Sequence, residues 1–527
     1  MFYYHNKRDG FEFVHTVLEA KTDEYPEAEL PESVLGQIAD YALPIWEKQP
    51  MRTFVPIFFL HGCNISLFVF TRKGVIRVEV GMICYDTYIL ADNAVDDVAM
   101  ESICMTLQDL WFLLTLPSNR FGQCCEIPKY VRFIEFKKET DDIVLVASAT
   151  LNDSGEIPFT KTPVCTRARI VGRLAFIVKT MYGKGKTAAI IKLTWTPIGR
   201  LTEGAVYEIL TKANVPNTPK VLDSGILKKD VFGYRFEYII MEDCGDTIMN
   251  FGQARYENGQ ASKASGLVSK HIAQVSSCLI HAQAAGVFHR DISSGNIAIS
   301  SQGNASVIDW GYAKVVKPDN AGVMKRNEAA LRKWHLDPEL IIQMEANYDM
   351  LTGTPQYISI QMLVSDKERG LIHDLESLFY VILHVLSNRT EEEPRGFKCF
   401  DSHDFAWARV GYLSERGHFY DSFGVEIGGV NKALRRVLDA MYCFLFTKDG
   451  RYIGGKLLYK KNFRRELCRE YAKRFVDQVA LQLMLPESND DTTTVTEAGR
   501  KSSLPKRKQS DKDNVDKENL QNKRLCV

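Results

Sequence analysis

The sequence predicts an α+β fold: a two-lobed domain with an α+β accessory domain before it and a disordered polar tail after it. Three observations carry this. From about residue 166 apolar residues come in short alternating runs, RIVGRLAFIVKTMYG, TAAIIKLTW and FGYRFEYIIMED, which read as strands. Beyond about residue 261 they recur at helical spacing, in ASGLVSKHIAQVSSCLIHAQAAG, HDLESLFYVILHVLS, NKALRRVLDAMYCFLF and FRRELCREYAKRFVDQVALQLML. From Glu487 the chain is Ser, Thr, Asp, Asn and Lys with almost nothing apolar to bury. The expected boundaries are an accessory domain at 1–155, a domain at 156–486 with a small lobe at about 156–250 and a large lobe at about 251–486, and a tail at 487–527.

In the first region a helix is expected over ESVLGQIADYALPIWEKQ, a strand meander from Arg52 to about Met82, and a second helix around MESICMTLQDLWFLL. Ile103, Leu107, Trp111 and Leu114 repeat at helical spacing in the latter and mark a core face. The run FVPIFFLHGCNISLFVF (54–70) carries Pro56, His61, Gly62 and Asn64, so two strands joined by an HGCN turn fit better than a membrane span. No chemistry is legible here.

The chain of 527 residues is too long for a single core, and its 45% hydrophobic and 25% charged residues are those of an ordinary soluble protein. Lys plus Arg and Asp plus Glu both number 66, so charge points neither to nucleic acid nor to an acidic membrane surface. The twelve cysteines form no CxxC pair and the start, MFYYHNKRDGFEF, lacks the apolar core of a secretory signal, which suggests a reducing, intracellular compartment, nuclear or cytoplasmic. Cys124 and Cys125 have no partners at ligand spacing and read as small buried hydrophobes. Cys526 is next to last, outside the prenylation pattern. In the tail, LPKRK (504–508) with Lys523 and Arg524 resembles a basic nuclear-import signal.

The densest chemistry lies in GVFHRDISSGNIAIS (286–300), which sets a histidine, an arginine and an aspartate among apolar residues. Burying a charge costs several kcal/mol or so unless it is paired, so a plain core strand explains this stretch poorly. Gly286 suits the left-handed cap of the preceding helix. NIAIS and SVID, separated by SQGNA, read as a hairpin. A turn centred on Gln302 and Gly303 sets Asn296 opposite Asp309, with Cα atoms roughly 5 Å apart. An amide oxygen and a carboxylate so placed can share a hard cation such as Mg²⁺. Asp291 then lies near enough to face a nucleophile.

HRDISSGN (289–296) followed by DWG (309–311) resembles the catalytic loop and metal-binding triplet of protein kinases. The form HRDISSGNI, with DLESLFYVIL and the upstream RTFVPIFFLHGCNISLFVFTRKGV (52–75), is similar to the fungal-type protein kinase family. This resemblance covers most of the chain to about residue 480. It implies a two-lobed protein-kinase-like domain that uses ATP and Mg²⁺ on a protein substrate. His289, Arg290 and Asp291 then form the catalytic triplet, with Asp291 the base and Asn296 and Asp309 the metal ligands. Lys192, at the end of AAIIK, would hold the α- and β-phosphates and pair with a helix glutamate, Glu203 or alternatively Glu208. Met241 would guard the adenine pocket, while Glu242 and Cys244 lend backbone groups. Asp374, in HDLESLF, would brace the catalytic loop, and LTGTPQYISIQML (351–363) would end an activation segment. Arg290 would pair with a phosphate on that segment, for which Thr352 and Thr354 are candidate acceptors.

Several positions depart from the kinase pattern. RIVGRLAFIV offers Gly172 alone where three glycines usually close over the phosphates, and Ser293 replaces a phosphoryl-neutralising lysine. Gln361 stands where a glutamate usually anchors the segment by an ion pair with arginine, and the segment is about twenty residues longer than is common, with the insert VMKRNEAALRKWHLDPELIIQ (323–343). The expected activity is serine/threonine phosphorylation; the alternatives are a pseudokinase scaffold binding partners through the first domain, or a small-molecule phosphotransferase. No membrane or direct nucleic-acid partner is expected, and the first domain is a candidate protein-binding unit.

Overall fold

The structure, a computed structural model, describes residues 2–4, 14–21, 30–49, 52–82 except 63, 131–138, 143–150, 156–159, 165–167, 175–250 except 184, 185 and 232, 261–316, 321–336 except 335, 353–364, 370–386, 432–448 and 451–452, with the single positions 105, 106, 108, 409 and 413. The chain divides into two units, Met1–Leu485 and Pro486–Val527, and everything described lies in the first. Gly172, Thr352, the cysteine pair at 124–125, most of the second expected helix, the tail and the side chain of Gln361 lie outside the described residues.

The first sheet contains β1 (Phe2–Tyr4), β2 (Val14–Lys21), β3 (Phe54–His61), β4 (Asn64–Thr71) and β5 (Gly74–Met82), side by side in that order. Strands β2 and β3 are parallel and joined through α1 (Glu32–Lys48), because a parallel pair needs a crossover. Ile38, Ala42, Ile45 and Trp46 fall on one face of α1 and pack on Val55, Ile57, Phe59, Phe68 and Phe70. The expected HGCN turn is present: His61 pairs with Asn64, and Gly62 takes φ +53° to close the hairpin. No described helix is long and apolar enough to cross a membrane.

The second sheet contains β6 (Val131–Lys138), β7 (Ile143–Thr150), β8 (Glu156–Phe159), β9 (Cys165–Arg167), β10 (Ala175–Tyr182), β11 (Thr187–Pro197), β12 (Val221–Val231) and β13 (Tyr234–Glu242). Its order is β12-β13-β11-β10-β8-β7-β6, with β9 also on β10. The sheet therefore runs across the boundary expected at 155/156, and the strands at 131–150 join the sheet that carries Lys192.

Alternation on β11 decides where Lys192 points. Ala189, Ile191, Leu193 and Trp195 face one way and pack with Val178, Phe236, Tyr238 and Ile240. Lys192 is on the opposite face, toward α2 (Glu203–Lys212), which starts at Thr202, whose side chain accepts the Ala205 N–H at 3.1 Å.

Then follow β14 (Asp246–Thr247), α3 (Ala261–Ala284), β15 (Val287–Phe288), β16 (Ile297–Ile299), β17 (Ala305–Val307), β18 (Lys314–Val315), α4 (Ala321–Lys333), α5 (Ile360–Val364), α6 (Leu371–Leu386), α7 (Lys432–Phe446) and the pair β19 (Thr447–Lys448) and β20 (Arg451–Tyr452). Val268, Ile272, Val275 and Leu279 form the buried stripe of α3, in one core with Leu375, Leu378 and Ile382 of α6 and Leu434, Leu438 and Met441 of α7. Helix α6 is buried nearly all round, its polar residues His373, Asp374, Glu376 and Ser377 included. At Gly245 (φ +91°) a Cβ would come within 2.2 Å of the Ile299 carbonyl oxygen, so only glycine lets β14 cross so close to β16.

Candidate functional site

The hairpin β16–β17 carries the first correction. Its register is Ile297↔Val307, Ala298↔Ser306 and Ile299↔Ala305, with Gly303 at φ +73° closing a three-residue loop. Asn296 therefore lies opposite Ile308, whose N–H donates to the Asn296 carbonyl at 2.9 Å, and Asp309 is one residue further on. Asp309 itself adopts a left-handed conformation (φ 60°, ψ 61°). Trp310 turns inward beside it: its ring is fully buried, its Nε1 donates to the Val307 carbonyl at 3.0 Å, and the His289 ring meets it edge-on at 4.6 Å.

With the aromatic residue inside, the carboxylate of Asp309 faces β11. Lys192 Nζ lies 2.6 Å from Asp309 Oδ1 and 2.7 Å from Glu203 Oε2. Lys192 and Glu203 are both buried, so this cation needs its two anions. Glu208, the other candidate, points elsewhere: it meets Lys212, Lys333 and Trp334.

The loop 289–296 is held from beneath. Asp374, near the start of α6, accepts the His289 N–H at 3.0 Å and the Arg290 N–H at 3.1 Å, one on each oxygen. Arg290 sits at φ +71°, a conformation that costs a side-chain-bearing residue about 1–2 kcal/mol, and the Asp374 carboxylate holds it there. His289 Nδ1 accepts the Asp291 N–H at 3.2 Å and Nε2 faces the Ile308 carbonyl at 3.0 Å, so the network assigns the ring proton to Nε2. Asp374→Ala would orphan two buried N–H groups at about 1–3 kcal/mol each. Urea unfolding should show that loss, with Asp374→Asn, which keeps one acceptor, intermediate.

Asp291 is 5% exposed and its carboxylate is fixed from two sides. Asn296 Nδ2 donates to the Asp291 carbonyl at 2.8 Å and to Oδ2 at 3.2 Å. Thr354 donates both its backbone N–H, at 2.9 Å, and its hydroxyl, at 3.0 Å, to Asp291 Oδ1. The Thr354 hydroxyl, read from sequence as a phosphate acceptor, is thus engaged by the aspartate.

Since the Asn296 amide nitrogen is turned to Asp291, its oxygen is directed the other way. That amide oxygen and the Asp309 carboxylate are hard donors and suit a cation such as Mg²⁺. Among the described residues no three His, Cys, Asp or Glu side chains cluster as a metal site. A metal held here would take further oxygens from a ligand.

The strand β13 leads out of the sheet beside this cluster. Met241 is buried on its α2 side, the Glu242 N–H donates to the Lys220 carbonyl at 3.0 Å, and the Cys244 thiol approaches the Glu242 carbonyl at 3.6 Å. Burial pushes the Cys244 thiol up to about 11, so it stays protonated at neutral pH.

The chain matches the family model for the fungal protein kinase over residues 5–232 and 236–386. It belongs to the fungal protein kinase family. No curated protein matches it.

Within this member of the family, two features of the segment 353–364 were missed by sequence reasoning. Arg409 is fully buried and donates to the carbonyls of Pro355 (2.9 Å), Gln356 (3.0 Å) and Ile358, with its guanidinium 4.6 Å over the Tyr380 ring. Burial lowers its pKa, and Glu376 and Tyr380 work against that. Burial likewise pushes the Glu376 carboxyl up, opposed by the Ile360 N–H, the Tyr380 hydroxyl and the Arg409 charge. The signal was present: DFAWARVGYL surrounds Arg409 with apolar residues as AAIIK does Lys192. The second feature has no local signal. Tyr357 joins the loop to α6, its hydroxyl 3.0 Å from Ser294 Oγ and 2.7 Å from His384 Nδ1.

Proposed function

We propose that the chain is a two-lobed, ATP-dependent protein kinase that transfers the γ-phosphoryl group to serine and threonine hydroxyls of a protein. The observation that carries this reading is Lys192 held between Glu203 and Asp309 at 2.7 and 2.6 Å. So placed, its charge meets the nucleotide phosphates without reorganising. Asn296 and Asp309 would hold Mg²⁺ bound with ATP, which offsets the phosphate charge. Asp291 orients the acceptor hydroxyl and takes its proton. A threonine hydroxyl already lies 3.0 Å from Asp291 Oδ1, which supports an acceptor of that kind. Met241 lines the adenine side, and Glu242 and Cys244 offer backbone groups there.

Thr354, Pro355 and Tyr357 stand in a peptide segment tied to Asp291 and Arg409, which favours a protein substrate over a small molecule. Ser293 supports the second reading, a pseudokinase scaffold, because a cation is missing from the loop. Thermal unfolding with nucleotide separates the two. MgATP at one hundred times Kd should stabilise the folded chain by about 2.7 kcal/mol, and ATP without metal by much less. Asp309→Ala should abolish the metal dependence. Absence of any shift at millimolar MgATP would move the weight to the scaffold.

In the same reading the first sheet with α1 is an accessory domain for a protein partner, and the basic cluster LPKRK with Lys523 and Arg524 in the tail directs the protein to the nucleus. A reporter fused to residues 487–527 should accumulate there; even distribution between nucleus and cytoplasm would refute the assignment.

A further inference from the structure

Where the insert that lengthens the segment after DWG begins, Ala321–Lys333 form a helix with one buried face. In α4, Asn327, Ala330 and Leu331 are buried while Lys325, Arg326 and Arg332 are exposed. Asn327 Nδ2 donates to the Ala285 carbonyl at 2.9 Å, which ties α4 to the end of α3, four residues before His289. Its last turn then delivers Trp334 onto α2. A Cβ on Gly204 would lie 2.4 Å from Trp334 Cη2 and 2.5 Å from Cζ2, so the indole rests on the bare Cα of a helical glycine. Glycine is disfavoured within a helix, and the ring supplies the reason for one here. One turn on, Trp334 Nε1 donates to Glu208 Oε2 at 3.0 Å and Lys333 Nζ meets the same oxygen at 3.1 Å. Burial works against the Glu208 carboxylate, and its bonds from Lys212, Lys333 and Trp334 outweigh that, so its carboxyl lies below its ordinary value.

We propose that residues 321–336 are a built-in positioning element for α2, with Trp334 the positioning residue that keeps Glu203 on Lys192; this rests on the kinase reading above. Glu203 is adjacent to Gly204, and Gly204 and Glu208 lie one turn apart on the face that Trp334 covers. Any rotation of α2 that draws Glu203 from Lys192 must first slide that face off the indole and break its bond to Glu208. The chain thus carries its own brace for the ion pair.

The test is a double-mutant cycle on the full chain. Trp334→Ala should weaken MgATP binding by about tenfold or more, and Trp334→Phe, which keeps a ring on Gly204, should recover most of the loss. In a Glu203→Gln background the Trp334→Ala change should have little further effect, since the pair it positions is already broken. Should Trp334→Ala fail to give a cooperative melt, Glu208→Gln, a part-exposed change, replaces it in the same cycle, with a severalfold loss expected. An equal loss in both backgrounds, or a lower Tm with MgATP affinity unchanged, would overturn the proposal and leave Trp334 a packing residue. A wild-type chain that binds no MgATP overturns the kinase reading and this inference with it, whereas the first two outcomes spare that reading.

Discussion

Asp291→Asn is expected to abolish phosphoryl transfer, a loss of about 10²–10⁴-fold or more, while MgATP affinity and folding change little. In the proposed reading the carboxylate acts on the acceptor hydroxyl, and its contacts are to Thr354 and Asn296 within the chain. An asparagine of the same shape keeps an oxygen for the Thr354 donors, gives up the 3.2 Å bond from Asn296 Nδ2 while Asn296 keeps its bond to the backbone carbonyl, and loses the basicity. Label transfer from γ-labelled ATP reports the first effect and thermal unfolding with MgATP the second. Undiminished turnover would remove Asp291 from the role of base.

Replacement of Lys192 should have the largest effect on both stability and binding. Lys192→Met retains the aliphatic stem and deletes the cation between Glu203 and Asp309, leaving a buried carboxylate at 1% exposure without its counter-ion. Breaking a buried pair in this way costs about 3–5 kcal/mol, more than an ordinary surface change by several-fold. Urea unfolding should show a lower midpoint in the apo chain. MgATP should not rescue it, because in the proposed reading Lys192 is also the group that meets the phosphates. A variant as stable as wild type would mean that water or neighbouring groups already screen these carboxylates.

The parts of the site that were legible in the sequence share one physical signature, a charged side chain within an apolar run. His289 to Asp291 and Lys192 were found that way, because burial of a charge demands a reason. Glu203 came instead from the family resemblance, as the helix glutamate expected to pair with Lys192, with Glu208 as the alternative; the structure puts it in the first turn of α2. The hairpin was legible but its register was not. A two-residue turn at Gln302 and Gly303 was the simpler expectation, and the left-handed Gly303 instead closes a three-residue loop. That shift of one residue would point Asp309 the wrong way, were it not for its own left-handed backbone and the inward turn of Trp310.

Contacts between distant segments left no local trace. Trp334 on Gly204 spans two elements whose sequences show only an amphipathic helix and one ill-placed glycine. Thr354 was legible as a hydroxyl, and only the fold puts that hydroxyl on Asp291. The sheet shared by residues 131–150 and β10 likewise arises from pairing over long separations, which alternation alone cannot assign.

The measurement that bears most directly on the central reading is phosphoryl transfer by the purified full chain, with γ-labelled ATP and Mg²⁺, to itself and to a generic basic protein. Phosphoserine and phosphothreonine should appear on one or both, and the Asp291→Asn chain prepared in parallel should give none. Nucleotide binding without label on either acceptor would contradict a kinase and make Ser293, where a lysine usually stands, the first position to restore.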